Sequence, residues 1–230
     1  MNQKINILLK YLFLEIIIAM KHNLLLIPIC FSVLSLFLSD DACAQKWTFE
    51  KEVDGIKIYT QNDPGSSFKS YKGETDFYAP VEKVCTLLGT ANNFDWWGDD
   101  FTEIKILDHK DHKFIQYYFV YKMPWPLTDR DLAVESILKM DTANGIYTVS
   151  SKPLLMKIPV NPELVTINRY WQKWTVLSMG AGKVHVVIEG LVDPGGNVPS
   201  WAYNMLITEM PMKTIRLLRE RALSSKPANK

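Results

Sequence analysis

Short alternating segments separated by turn residues fill most of this chain, and they constrain its fold more than any other feature. Between Trp47 and Phe77 there are three such segments, divided by Asp54-Gly55 and by a turn at residues 62–67. An Asp-Gly pair between two alternating runs is a strong signal for a β-hairpin. The pattern therefore predicts a meander of three strands at the start of this region.

Further helix and strand signals follow toward the C-terminus. Pro80 begins a segment with helical spacing, which predicts a short helix, a break and a second helical turn that ends at Gly98. Six more strands are predicted before Asp193, with two connections at 124–129 and 152–164 that are not hairpins. The six segments are 102–109, 112–123, 130–140, 145–152, 165–178 and 183–192.

The last predicted element is one long helix from Val198 to about Leu223. Apolar residues recur along one of its faces, Asn197 can cap it and Pro211 should kink it. The whole pattern predicts an α+β fold, in which a curved antiparallel sheet of about nine strands surrounds this helix. Strong curvature around a single helix tends to leave a space between helix and sheet, lined by the inward face of each strand.

The composition excludes several classes of protein. The 230 residues include 26 Lys and Arg and 25 Asp and Glu, so a net charge of +1 provides no basic surface for nucleic acid. Three cysteines are too few for a disulfide scaffold, and 12% aromatic residues argue against disorder. We therefore expect a folded monomer with no nucleic-acid partner.

Residues 1–44 have the pattern of a signal peptide region. Residues 24–38 are fifteen apolar residues without a charge, preceded by Lys21 and followed by the small-x-small site at 42–44. Fifteen residues are short for a hydrocarbon core of about 30 Å. We expect translation to begin at Met20, because the apolar stretch before it makes the signal unusually long.

Cleavage after Ala44 would release residues 45–230 to the periplasm or the cell exterior. A membrane anchor formed by the N-terminal segment is the alternative, and Asp40 and Asp41 disfavour a lipid anchor on Cys43. The released domain would keep Cys85 as its only cysteine, and we expect this thiol to be buried on the apolar face of the short helix.

The motifs typical of enzymes are absent from the sequence. It contains no nucleophile elbow, no phosphate loop and no dinucleotide-binding fingerprint. His109 and His112 flank a turn and lack the helical spacing of a zinc pair, so we expect them to be solvated. We expect no cofactor, no metal and no catalysis; an enzyme would have to use Glu135 or His185.

Charged residues near the predicted strands allow two interpretations. Asp129, Arg130 and Asp131 form either a surface charge cluster, worth little energy, or part of a site. Glu135 and Arg169 lie within strands, and each can face either solvent or the interior. An inward charge must be paired or must meet a ligand.

Aromatic side chains are the most prominent remaining signal. An aromatic core explains most of them, but between a helix and a curved sheet they could also line an apolar pocket. They are Trp96, Trp97, Tyr117, Tyr118, Phe119, Tyr121, Trp125, Trp171, Trp174 and Trp201.

Four short motifs, taken together, resemble those of START domains (steroidogenic acute regulatory protein-related lipid transfer), particularly bacterial members. Residues 124–131 resemble the family's P-W-P-x-x-x-R-D segment, and residues 193–204 resemble its D-P-G-G-x-[IV]-P-x-W-x-x-N entry into the last helix. Residues 54–59 and 94–97 look like its D-G-[IV]-x-[VI]-[YW] strand and its F-x-x-W-[WH] helix end. The motifs keep the family's order from about Trp47 to Arg221.

The resemblance implies that residues 45–230 are a START-like, helix-grip domain that binds a lipid or other hydrophobic small molecule in an internal hydrophobic cavity without catalysis. The Pro124–Asp129 loop and the Trp201 end of the last helix would form the gate. Transient membrane contact is expected, with the run Leu154–Ile158 as one candidate segment. Some family members hold a buried acid–base pair, and Ser136 stands here where those carry Arg.

The candidate lipid-binding residues combine the gate, the aromatic strand residues and the strand charges. They are Trp97, Tyr117, Phe119, Tyr121, Trp125, Arg130, Glu135, Arg169, Trp171, Trp201 and Met205. Two other functions fit the same resemblance: a sensor or adaptor whose ligand alters a protein contact, and a cyclase-like enzyme on the same fold.

Overall fold

Ten strands form one curved sheet in the computed structural model, which describes residues 46–154, 161–167 and 169–225. Nine of them follow the order β1-β2-β3-β10-β9-β7-β6-β5-β4 with antiparallel pairing, as predicted. The strands are β1 (Thr48–Val53), β2 (Ile56–Gln61), β3 (Ser70–Tyr78), β4 (Phe101–Lys110), β5 (Phe114–Tyr121), β6 (Arg130–Asp141), β7 (Ile146–Pro153), β8 (Val165–Thr166), β9 (Arg169–Ser178) and β10 (Lys183–Asp193).

The three-stranded meander at the start of the sheet is confirmed. Asp54 and Gly55 both have positive φ, 54° and 72°, which is the backbone of the tight two-residue hairpin turn between β1 and β2. Ile56 and Ile58 alternate with exposed lysine along β2 and are fully buried. The alternation in the sequence therefore places this strand correctly.

The prediction of one strand over residues 165–178 is wrong, because its two ends pair with different strands. β8 pairs in parallel with the start of β6, where the Val165 amide donates to the Asp129 carbonyl at 3.0 Å. β9 begins at Arg169 and pairs antiparallel with β7 and β10. The alternation of inward and outward side chains therefore cannot be followed continuously from β8 into β9.

The described residues contain three helices: α1 (Val81–Gly89), α2 (Ser200–Leu206) and α3 (Glu209–Leu223). α1 agrees with its prediction, and Cys85 is buried on it; burial raises the pKa of the thiol to about 12. The second helical turn expected before Gly98 is instead a series of turns.

The single long C-terminal helix of the prediction is two helices. Ile207 and Thr208 form a turn between α2 and α3, although their backbone angles stay in the right-handed helical region, and Pro211 is the third residue of α3. A proline ring clashes with the carbonyl four residues earlier, which is that of Ile207, so the helical hydrogen bonding is interrupted where the sequence predicts a kink. Pro199, not Asn197, occupies the N-cap position of α2.

α3 packs on β3 and β2, and α1 packs on α3, β9 and β7. The approach of α3 is close: a Cβ on Gly73 of β3 would lie 2.7 Å from Ile215 Cδ1. Ile215 and Leu218 bury the inner face of α3. The helix is therefore seated on one side of the sheet, which leaves the inner face of β5 and β6 to be covered in another way.

Two expectations lie outside the described residues. The signal peptide region, 1–44, is one of them, and most of the apolar run 154–158 is the other. Within the described residues, no helix has the length and apolar character needed to cross a membrane.

Candidate ligand cavity

A cavity of about 650 Å³ lies between the inner face of the sheet and the two C-terminal helices. Strands β5, β6, β7 and β9 supply its floor, α2 and α3 cover it, and the loop before β6 borders it. Most of its lining is apolar or aromatic. The apolar and aromatic residues include Leu87, Leu88, Phe94, Trp96, Trp97, Phe101, Ile115, Tyr117, Phe119, Tyr121, Val149, Ile167, Tyr170, Trp174, Val192, Tyr203, Ile207, Met210 and Leu217.

Aromatic rings form one continuous wall of this cavity. The ring of Trp97 contacts Phe94 at 4.6 Å, Phe101 at 5.0 Å and Tyr117 at 5.3 Å between centroids. Phe101 in turn meets Phe119 at 5.4 Å, and most of these contacts are edge-to-face. Such pairs add stability beyond the area they bury, so the wall holds a fixed shape.

Five charged side chains border the cavity, and four of them form ion pairs. Lys213 of α3 pairs with Asp100. Arg216 contacts Asp54 at 3.0 Å, and Glu209 contacts Lys51 at 2.5 Å. Because each pair cancels within itself, these four add little net charge to the site.

Arg130 is a buried arginine at the edge of the cavity, with only 3% of its surface exposed. Its guanidinium donates to the carbonyls of Pro194 at 3.0 Å and Gly195 at 3.2 Å, and to that of Thr128. Burial lowers the pKa of Arg130, and the Asp129 charge opposes this shift. One side chain therefore joins the loop before β6 to the loop that leads into α2.

A cluster of neutral polar groups lies on the inner face of the sheet. The hydroxyl oxygens of Ser136 and Ser151 are 2.7 Å apart, and Tyr117 lies 3.5 Å from Ser136. Tyr170 lies beside Tyr117 and Ser151. Burial raises the pKa of Tyr117 and of Tyr170 above the usual value, so both stay protonated at neutral pH.

Five of the eleven candidate residues line the cavity. They are Trp97, Tyr117, Phe119, Tyr121 and Arg130. The four aromatic residues belong to the wall described above. The interpretation of Arg130 and Asp131 as a surface charge cluster is wrong, because both are buried.

Three candidates from the gate segments are exposed instead of lining the cavity. Trp125 is 93% exposed, Trp201 is 69% exposed and Met205 is 73% exposed. Their neighbours on the same segments do line it, namely Pro124 and Leu127 on the loop and Ala202, Tyr203 and Leu206 on α2. The gate segments therefore border the cavity and carry apolar side chains that point to solvent.

The inward orientation considered for Glu135 is wrong. Its carboxylate faces away from the cavity, where it pairs with Lys152 at 3.2 Å and accepts a hydrogen bond from Gln116 at 3.1 Å. These two partners lower the pKa of Glu135, Gln116 having the larger effect. Ser136, its neighbour along β6, is the residue that faces inward.

Arg169 and Trp171 also lie outside the cavity lining. Arg169 is exposed and forms an ion pair with Asp63 at 3.2 Å. On β9 the inward residues are Tyr170, Gln172 and Trp174. The sequence contains a signal for this orientation, since the charged Lys173 shares a face of β9 with Trp171 and Arg169.

The three histidines of the described residues, His109, His112 and His185, do not line the cavity. His109 lies on β4 and His112 in the following turn, with φ of 57°. His185 lies 2.7 Å from Asp76, and its ring and Lys183 lower the pKa of that carboxyl. No group of three or more His, Cys, Asp or Glu side chains suited to a metal ion occurs within the described ranges.

The backbone is similar to that of known lipid transfer proteins. The crystal structure of a STAR-related lipid transfer protein fragment from Xanthomonas axonopodis superposes with a TM-score of 0.70 and 29% identity, covering 77% of this chain and 99% of that one. An uncharacterized protein of Pseudomonas aeruginosa is 28% identical over 185 residues, which are 80% of this chain and 91% of that protein.

A vertebrate protein shows the same similarity more weakly. The phosphatidylcholine transfer protein of Mus musculus is 25% identical over 164 residues, 69% of this chain and 75% of that protein. No protein-family model matches the chain.

The role of Arg130 as a tie between the two loops can be measured by comparison with Arg169. We predict that Arg130→Met lowers the free energy of unfolding by about 3 kcal/mol, because it leaves buried carbonyls without donors. Arg169→Met removes an exposed ion pair and should cost less than about 1 kcal/mol. Urea unfolding of both variants checks this, and equal losses would contradict it.

Proposed function

We propose that this chain, which is a START-type domain, binds one lipid or similar hydrophobic molecule in its internal cavity and releases it through a gate formed by α2 and the loop Pro124–Asp129. The observation that carries the proposal is the largely apolar cavity enclosed by the C-terminal helices. The similarity to proteins that are named for lipid transfer supports the same ligand class.

Hydrophobic burial supplies the binding energy. A lipid that loses on the order of 300 Å² of apolar surface to water gains roughly 7 kcal/mol at about 25 cal/mol per Å². Part of this gain is offset by the ordering of ligand and protein. The gain is non-directional, so the shape of the aromatic wall and the polar groups must supply the selectivity.

We propose binding without catalysis. An enzyme on this fold would need an acid or base that faces the ligand, and Glu135 and His185 were the residues available for this role. Glu135 is engaged by Lys152 and Gln116 away from the cavity, and His185 is paired with Asp76. The polar groups on the floor of the cavity are hydroxyls and an amide, and the two carboxylates at its border, Asp100 and Glu209, are paired with lysines.

The movable part of the gate is α2. Its seven residues include none that is buried, whereas α3 buries Ile215 and Leu218. Elements with little buried surface open at the lowest cost in free energy. α2 is therefore the segment that can leave the cavity while α3 stays on the sheet.

Asn204 holds α2 in place. Its side-chain oxygen accepts from the Lys69 amide at 2.9 Å, and its amide donates to the Ser67 carbonyl at 3.0 Å. Next to it, Tyr203 meets Phe68 edge-to-face at 5.3 Å. These contacts join α2 to the loop between β2 and β3, and they must break when the gate opens.

A membrane is the place where such a gate would open. Trp125, Trp201, Met205 and Leu206 expose apolar side chains on the two segments that border the cavity. Tryptophan is favoured at the interface between membrane and water. Insertion of these side chains would bring the cavity opening against lipid.

The first test is direct detection of the ligand. We predict that native mass spectrometry of the purified chain finds one lipid-sized molecule per protein, which organic extraction releases. Ala202→Trp places an indole at the cavity border and should lower the affinity for it at least about tenfold. Ala143→Trp adds the same group on an exposed turn and serves as the control. Equal affinities in the two variants, or no uptake from a lipid mixture, would refute cavity binding.

The second test concerns the hydrogen bonds that keep α2 in place. Asn204→Ala removes two hydrogen bonds of about 1 kcal/mol each, so ligand release should be about three- to thirtyfold faster. Asn144→Ala, which breaks a side-chain bond in the 141–145 turn, should leave the rate unchanged. Stopped-flow transfer of a fluorescent lipid to acceptor vesicles measures the rate. An unchanged rate in Asn204→Ala would exclude α2 as the gate.

The third test concerns membrane contact. Trp125→Ser combined with Trp201→Ser should lower binding to vesicles of phosphatidylethanolamine and phosphatidylglycerol about tenfold or more, because both apolar anchors are lost. Phe49→Ser combined with Tyr78→Ser removes two exposed aromatic residues that lie outside the cavity border. If the control pair weakens sedimentation with vesicles as much, the gate is not the membrane-binding surface.

A further inference from the structure

The neutral polar groups of the cavity follow one row across the sheet. The strand register places Ser136 of β6 opposite Ser151 of β7, and Ser151 opposite Gln172 of β9. Gln172 is opposite Gly190 of β10, which is opposite Tyr71 of β3. Five neighbouring strands therefore carry this row, which we call the polar row.

Hydrogen bonds connect the members of the polar row in two groups. Ser136 and Ser151 share a bond of 2.7 Å. Gln172 donates to the Tyr71 hydroxyl at 3.1 Å and accepts from the Trp174 indole at 3.1 Å. Gly190 leaves room for the tyrosine, since a Cβ there would lie 2.5 Å from the Tyr71 oxygen.

The members of the polar row that reach the cavity are Ser136, Ser151 and Gln172, and Tyr117 and Tyr170 add two hydroxyls beside them. All five groups are uncharged at neutral pH. Each serine or tyrosine hydroxyl can both donate and accept a hydrogen bond. The row can therefore form hydrogen bonds with a hydroxyl or a carbonyl oxygen of a ligand placed against it. Ser136 and Ser151 are themselves buried, so the packing around them holds their hydroxyls in position.

Charged side chains are far from the polar row or engaged elsewhere. Arg130 lies on the same strand and face as Ser136, but six residues earlier, which is about 20 Å along a strand. Its guanidinium is already engaged by backbone carbonyls. Glu135 is adjacent in sequence but faces away from the cavity. A carboxylate, phosphate or ammonium group at the row would therefore be buried without a counter-charge, which is costly.

The size of the cavity limits the ligand as well. At about 30 Å³ for each water-sized unit, 650 Å³ holds on the order of twenty non-hydrogen atoms. One long hydrocarbon chain or one fused-ring skeleton is of this size. A lipid with two long acyl chains and a phosphate headgroup is larger than this.

We propose that the polar row selects an uncharged lipid with one chain or one ring skeleton, whose terminal hydroxyl or carbonyl group binds at Ser136, Ser151 and Gln172. This inference rests on the proposed function, because it requires that the cavity binds a lipid. Long-chain alcohols, monoacylglycerols and sterols share this chemistry.

A competition assay tests the proposal with defined probes. The full chain is loaded with diphenylhexatriene, a fluorescent hydrocarbon without polar groups, and competitors displace it at mildly alkaline pH. We expect oleyl alcohol, monooleoylglycerol or a sterol to compete at least about tenfold better than oleate, oleylamine or dioleoylphosphatidylcholine. The relative strength of the alcohol, the glyceride and the sterol identifies the source of the hydroxyl.

Variants link the selectivity to the polar row. Ser136→Ala combined with Ser151→Ala should weaken the binding of oleyl alcohol about three- to tenfold and leave the binding of diphenylhexatriene unchanged. Ser70→Ala removes a hydroxyl that is also buried but does not line the cavity, and it should change neither. Its unfolding curve also serves as the stability reference for the double variant.

The contrary results distinguish a failure of the proposed function from a failure of this inference. If diphenylhexatriene does not bind at all, the proposed function fails, and this inference fails with it. If diphenylhexatriene binds but oleate or phosphatidylcholine competes as well as the alcohol, only the inference on the headgroup is overturned. It is likewise overturned if the double serine variant binds oleyl alcohol as tightly as the unchanged protein does.

Discussion

Coverage of the inner face of the sheet is the constraint on which the rest of this structure depends. A ten-stranded sheet with an apolar inner face must be covered, and the described residues provide only three helices for this. α3 sits on β2 and β3, and α1 sits on β7 and β9. The inner face of β5 and β6 is left to an aromatic wall with a cavity beside it. The turn at Ile207–Thr208 separates α3, which lies on the sheet, from α2, which borders the cavity. Pro211, which has no amide hydrogen and crowds the Ile207 carbonyl, accounts for the interruption of helical hydrogen bonding there.

A buried cation anchors the two loops beside the helix that is proposed to open. Arg130 joins the carbonyls of the 193–195 turn to that of Thr128, so the two loops beside α2 share one anchor. Carbonyl acceptors satisfy the guanidinium without a buried carboxylate partner, which avoids the cost of desolvating a second charge. α2, in contrast, depends on two hydrogen bonds of Asn204 and one ring contact. The fold thus places a rigid anchor directly before a weakly held helix, which is the arrangement that an opening segment requires.

The sequence predicts the elements of this fold better than the faces of its strands. Asp54-Gly55 specifies its turn locally, because few residues other than Asn, Asp and Gly accept two successive positive φ values. The orientation of Glu135 and Arg169 depends instead on which neighbours cover each face, and that is settled only by the pairing of β6 with β7 and of β9 with β10. The alternation of side chains along β9 could have predicted the outward orientation of Arg169, since Lys173 marks the outer face of that strand. The change of pairing partner between β8 and β9 interrupts this alternation. Apolar residues on the outer face of β6 hid the same signal around Glu135.

The polar row shows why individual residues and a family likeness give different information. Four motifs and the overall backbone resemble those of START domains, and this likeness supports the proposal of a hydrophobic ligand. The position at which some family members carry a buried arginine is Ser136 here, and the register extends it into a row of hydroxyls and an amide. Replacing a charge by neutral groups changes which headgroup can be buried, because an unpaired ion costs far more than an exchanged hydrogen bond. The likeness to a phosphatidylcholine transfer protein therefore does not transfer its ligand to this chain. The register of five strands and the chemistry of the side chains on them favour a smaller and uncharged one.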